Sequence, residues 1–229
     1  MNPTVTAPEA AVAAVDNMNF LQRAFAEGGF VMYIIAFIAI LAIGVIVDRL
    51  VKMKSLSVDK KSFTDQIFRM VVGGDLRQAI SYCDNHPAPL TNTVKEGLML
   101  AMNKRPDEEI QVAMDAAVMR EMPKVEGWTS FLAVFGNVAV LAGLLGTIIG
   151  MIGSFRAVAA ADPATKALEL SKGISHALNC TAFGLLVAII SIVAYGLFQH
   201  RIQKTENEMV ETSMSLLNLV VSNRDKLKD

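Results

Sequence analysis

Residues Trp128 to Phe155 form a run of 28 without one Asp, Glu, Lys or Arg, and five of them are glycine. Gly136, Gly143, Gly146, Gly150 and Gly153 recur at spacings of three, four and seven. An apolar run of about 20 residues or more crosses a bilayer as a helix. In water each glycine costs such a helix about 1 kcal/mol against alanine. In lipid a stripe of small residues lets two helix backbones come close. The run therefore reads as a membrane helix shaped for packing against other helices.

Two further runs meet the same length rule. Gly28 to Val47 is uncharged, and Gly173 to Gln199 holds no Asp, Glu, Lys or Arg and one histidine, His176. The chain of 229 residues is 53% hydrophobic, and its apolar residues come in blocks. The expected fold is all-α: a polytopic membrane protein with three transmembrane helices. The first span starts late and is followed by Asp48-Arg49 rather than a small-residue cleavage site, so it reads as a retained anchor. A net charge of −1 leaves no electrostatic footprint for nucleic acid. Cys83 and Cys180 fall in different environments, and no metal-ligand spacing occurs, so neither a disulfide framework nor a metal or other cofactor is expected.

Lys and Arg set the expected orientation. Arg23 alone precedes the first span, while Arg49, Lys52, Lys54, Lys60 and Lys61 follow it. Residues 1–27 are then periplasmic or interfacial, with Met18, Leu21, Phe25 and Phe30 as apolar positions for the outer interface. Residues 28–47, 128–155 and 173–199 are the spans. Residues 48–127 form a cytoplasmic helical domain, 156–172 a periplasmic loop and 200–229 a cytoplasmic C-terminal helix. Residues 48–127 hold twelve basic and twelve acidic side chains, the balance of a solvated, ion-paired helical region. Gly73-Gly74 and Pro87-Ala-Pro89 punctuate it. Helices are expected over Leu76–Cys83, capped by Asp75, and over Leu90–Met102. A third starts at Asp107 and runs through Pro123 toward the membrane. In the tail, Ile202, Met209, Ser213, Leu216 and Val220 share a face, so the third span is expected to continue as one long helix.

Thr147 and Ser154 border the glycine stripe of the second span. In the third span Ala177, Thr181, Gly184, Ala188, Ser191 and Tyr195 share a face. Hydroxyls in hydrocarbon need partners. Either Thr147 and Thr181 bond back to the carbonyl four residues earlier and merely pack helices, or these faces line a polar passage or cradle another helix. Moving a proton or cation through lipid normally requires an ionisable group in the membrane. No span carries a carboxylate, so a proton-conducting chain of this kind needs one from a partner. His176 is either an interfacial histidine or a group at a channel mouth that titrates near neutral pH. Asn179 and Cys180 read as packing residues.

Gly143-Leu-Leu-Gly-Thr147-Ile-Ile-Gly-Met-Ile-Gly-Ser-Phe155 resembles the GLLGTVxGMIxxF run of the bacterial proton-channel family that includes ExbB, TolQ and MotA. Gly173-Ile-Ser-His-Ala-Leu-Asn-Cys-Thr181-Ala-Phe-Gly-Leu-Leu-Val-Ala188 resembles its GIxxALxxTAxGLxxA run. Gly74-Asp-Leu-Arg-Gln-Ala79, Pro89-Leu90, Gly97-Leu98 and Asp48-Arg49 resemble its weaker signatures. Val140 and Ile190 stand where the family has prolines, which predicts straighter spans, and His176 stands where it commonly has a glutamate. Three spans rather than four argue against a flagellar stator of the MotA type.

The resemblance implies an inner-membrane homo-oligomer, a pentameric ring whose second and third helices line a pore. It implies a single-span partner of the ExbD or TolR type that threads the pore and supplies a membrane aspartate. It further implies a TonB-like, TolA-like or motility protein as the output. Thr147 and Thr181 are then the polar residues of the ion pathway. Gly143, Gly146, Gly150, Gly153, Ser154, Gly184, Ala188, Ser191 and Tyr195 form the packing and pore face. The alternative is an oligomeric scaffold that does not conduct, which the glycine stripe fits equally well. No nucleophile–base pair, metal set or phosphate loop supports an enzyme.

Overall fold

The computed structural model describes residues 29–56 and 60–224, and the expected interfacial segment Met18 to Phe30 falls almost wholly outside them. The described residues are helical, with no strand among them. Among the described residues seven helices follow in order: α1 Gly29–Leu56, α2 Lys60–Val72, α3 Leu76–Asn85, α4 Pro89–Met102, α5 Asp107–Glu126, α6 Thr129–Ala160 and α7 Lys166–Ser222. Three of them, α1, α6 and α7, are long and apolar enough to cross a membrane. The all-α, three-span expectation is therefore met.

The chain divides into two compact units. The first contains residues 29–45 and 131–194 of the described chain. Its core is small: Val31, Ile35 and Ile38 of α1 meet Ala139 of α6 and Val187 of α7. Phe135 and Phe183 pack at its edge.

Of the described residues, the second unit holds 46–56, 60–130 and 195–224. Here α2 packs on α3, α3 on α4, and α4 on α5. Phe63, Ile67 and Val71 of α2 recur at helical spacing and are buried with Leu98, Ile110 and Met114. The C-terminal part of α7 completes this core. Ile202, Met209, Leu216 and Val220 are all buried in it, and Ser213 is buried on the same face. A seven-residue apolar repeat keeps one side of a helix turned inward.

Local chemistry explains several boundaries. Asp107, Glu108 and Glu109 occupy the first turn of α5, where carboxylates oppose the positive end of the helix dipole. Asp75 stands at the N-cap of α3 but makes no side-chain cap bond, contrary to its expected role. Helix α5 does pass through Pro123, yet it stops at Glu126 instead of running on into the membrane. Gly127 breaks it with φ +45°. A β-carbon there would lie 2.2 Å from Nη2 of Arg49, so only glycine fits. Arg49 is itself buried, 2% exposed. Its guanidinium donates to the Asp48 carboxylate at 2.8 and 3.1 Å and to the Val125 carbonyl at 3.3 Å. One arginine thus joins the end of α1 to the end of α5.

Candidate functional site

Helices α6 and α7 meet along their small faces. A β-carbon on Gly143 would sit 3.2 Å from the Thr181 Cα and 3.4 Å from the Gly184 Cα. One on Gly184 would sit 2.5 Å from the Ala139 carbonyl oxygen. Gly146 faces Cys180 and Val31, and Gly150 faces Ala177 and the His176 ring. Gly136 faces Ile192 and the Ala188 carbonyl. Four of the five glycines in the stripe thus lie against α7 of the same chain. Gly153 is the exception, with open space where a β-carbon would be.

The hydroxyls follow this contact. Thr181 does not bond back within its own helix. It donates across to the Gly143 carbonyl at 3.1 Å and is half-buried. Thr147 donates to the carbonyl three residues earlier, Leu144, at 2.6 Å. The two hydroxyls therefore bind consecutive carbonyl oxygens of α6. Gly143 lies one turn before Thr147, so its carbonyl is also the helical acceptor for the Thr147 N–H. A hydroxyl has one hydrogen and two lone pairs. With both hydrogens turned onto carbonyls, the threonine oxygens are left as acceptors.

The other predicted residues are spread along α6 and α7. Ala188 and Ser191 are buried, and Ser191 donates to the Val187 carbonyl at 2.8 Å. Ser154 is buried, donates to the Gly150 carbonyl at 2.7 Å and faces Gly173. These two serines bond back within their own helices, as small hydroxyl residues do in lipid. Tyr195 is half-buried and belongs to the second unit. His176, also half-buried, packs its ring against Gly29 and Gly150 at the edge of the α6–α7 contact. None of the three spans contributes a carboxylate. Burial of Arg49 was not legible in the sequence, although its neighbour Asp48 gave a partial signal.

Residues 85–211 match the model of the MotA/TolQ/ExbB proton channel family, and they include both the Gly143–Leu144 carbonyls and the two threonines. The chain belongs to the MotA/TolQ/ExbB proton channel family. The Tol-Pal system protein TolQ of Pseudomonas aeruginosa is 32% identical over 158 residues, covering 69% of this chain and 61% of that protein. The biopolymer transport protein ExbB of Pseudomonas putida is 28% identical over 174 residues, covering 72% of this chain and 52% of that protein. The chain thus matches roughly half to three fifths of the length of these relatives. A solved structure of C. jejuni MotAB superposes with a TM-score of 0.58 over 94% of this chain and 84% of that one. At 16% identity that likeness is one of fold.

Proposed function

We propose that this chain is an inner-membrane subunit of a proton-driven motor. It acts as a homo-oligomer, a pentamer by resemblance, around a single-span ExbD- or TolR-like partner that brings the membrane aspartate. Its output is mechanical work on the outer envelope, through a TonB-like, TolA-like or motility protein. Residues 28–47, 128–155 and 173–199 span the membrane. The N-terminus and residues 156–172 are periplasmic, and residues 48–127 and 200–229 are cytoplasmic. Nothing in this role requires enzymatic chemistry.

The observation that carries the reading is the pair of hydroxyls on the Gly143 and Leu144 carbonyls, in spans with no acid of their own. With their hydrogens turned away, Thr147 and Thr181 accept a hydrogen bond from a protonated carboxyl or from water. They offer nothing to an ionised carboxylate until a hydroxyl rotates off its carbonyl. Such a site favours the neutral acid, and a neutral acid crosses low-dielectric surroundings far more cheaply than an ion. The proton therefore has to be on the partner's aspartate while that aspartate passes this contact.

Proton flux into proteoliposomes containing the chain and its partner tests this. Thr181→Val and Thr147→Val are each expected to lower partner-dependent flux by about tenfold, the effect of losing roughly 1.4 kcal/mol of barrier stabilisation. Thr181→Ser keeps the hydroxyl and is expected to retain most of the flux. Unchanged flux in both valine variants assigns the hydroxyls to packing alone. A wild-type assembly that binds its partner and conducts nothing favours the scaffold, a role to which the interlocked glycines of α6 and α7 are equally suited.

A further inference from the structure

The second unit contains a cavity of about 920 Å³ that the motor reading does not use. Lys60 and Lys61 reach it from α2, and His200, Arg201 and Lys204 reach it from α7. Asp65 and Glu208 also line it, so four Lys and Arg charges face two carboxylates, a surplus of two. The cations are not equally available. Lys60 pairs with Glu211 at 2.5 Å, while Lys204 lies 3.9 Å from Glu208, at the outer limit of an ion pair. Arg201 is exposed and adds a planar guanidinium, which suits two-point binding of a phosphate.

The wall of this cavity is also partly apolar, with Met53, Leu90 and Val125 in its lining. The position along the chain also matters. Met53 is six residues past Val47, about 9 Å along a helix, and His200 directly follows Gln199. Basic side chains immediately cytoplasmic of membrane helices attract anionic headgroups.

We propose that this cavity binds a phosphate ester, with Arg201 and Lys204 as the groups that hold the phosphate. The ester comes from an anionic lipid headgroup or from a soluble phosphate, and the apolar wall is suited to the first carbons of a lipid. The site is independent of the proton pathway and stands or falls apart from it.

The test uses the purified full-length chain in detergent. One arm exchanges it with equal amounts of phosphatidylglycerol and phosphatidylcholine and quantifies the retained lipid by mass spectrometry. The other follows thermal unfolding with inorganic phosphate against chloride at equal ionic strength. Wild type is expected to retain phosphatidylglycerol selectively. Arg201→Gln with Lys204→Gln should bind it about thirtyfold more weakly, the combined effect of two basic side chains. Arg105→Gln, outside the cavity, should leave binding unchanged. Arg201→Gln alone should weaken binding about fivefold, so it reads the site even if the double variant fails to fold. Selective retention of phosphatidylglycerol identifies a lipid as the source. Stabilisation by inorganic phosphate without lipid selectivity, lost in the variants, identifies a soluble ester. Absence of both effects in wild type, or their persistence in Arg201→Gln and in Arg201→Gln/Lys204→Gln, overturns the proposal.

Discussion

A methyl group added at Gly184 would lie 2.5 Å from the Ala139 carbonyl oxygen and 3.1 Å from the Gly143 Cα. Both neighbours are backbone, and neither can turn aside as a flexible side chain does. Gly184→Ala must therefore push α6 and α7 apart, at a cost of about 1–3 kcal/mol. Gly153→Ala, in the same stripe of α6, meets open space. It is expected to change stability by no more than about 0.5 kcal/mol. Thermal unfolding of the two variants in detergent checks the contrast, and equal melting temperatures would contradict the close approach of α6 and α7. Gly127→Ala should also destabilise, because its φ of +45° and the Arg49 guanidinium both exclude a side chain. Of these residues, the sequence marks the glycine stripe and both threonines. It does not reveal that Gly153 meets no neighbour within the described chain or that Thr181 donates across to Gly143. Those facts depend on the register between two helices 38 residues apart, which local periodicity does not encode.

At the scale of elements, periodicity served best where one face is buried in a protein core. The stripe Ile202, Met209, Leu216 predicts a continuous α7, and Lys166–Ser222 is one helix. Charge-free runs locate membrane helices but not their ends, because a helix does not stop where its charges begin. Helix α7 accordingly starts at Lys166, seven residues before the uncharged run, with Glu169 in its first turn. The end of α5 was illegible for a different reason: Arg49, remote in sequence, fixes the turn at Gly127. Helix α3 offers a separate test. Cys83 is 2% exposed, and burial, with a smaller contribution from nearby Asp84, pushes its thiol from the ordinary 9.0 up to about 12. The folded chain keeps this proton while the unfolded chain releases it between those two values. Stability from this residue is thus intact below pH 9 and falls as pH climbs toward 12. At pH 8 to 9, roughly the range in which a free thiol ionises, Cys83 should resist maleimide until denaturant is added. Rapid labelling of the native protein would show that α3 opens locally or is not packed as described.

For the whole molecule, the decisive quantity is apolar surface left uncovered. Of the most apolar stretch in each spanning helix, only 28%, 33% and 28% is buried within the chain. Phe37, Ile148, Ile149, Leu186, Ile189 and Val193 are among the large side chains left exposed. Exposed apolar patches of this extent require lipid or further copies of the chain. In lipid the hydrophobic effect does not itself drive helices together, so association has to come from packing and from hydrogen bonds. Four glycines of the α6 stripe are already engaged with α7 of the same chain, so the surface left for lipid or a further copy is mainly branched aliphatic. Cysteine labelling tests the arrangement across the membrane with little background, because both native thiols are buried. Ala164→Cys, exposed between α6 and α7, is expected to react with an impermeant maleimide added outside intact spheroplasts. Asn207→Cys, exposed on the later part of α7, should react only after the membrane is opened. The excess of Lys and Arg just after the first span and in the tail is the ground for this expectation. The reverse pattern would put the cationic cavity on the periplasmic side, away from the anionic cytoplasmic leaflet.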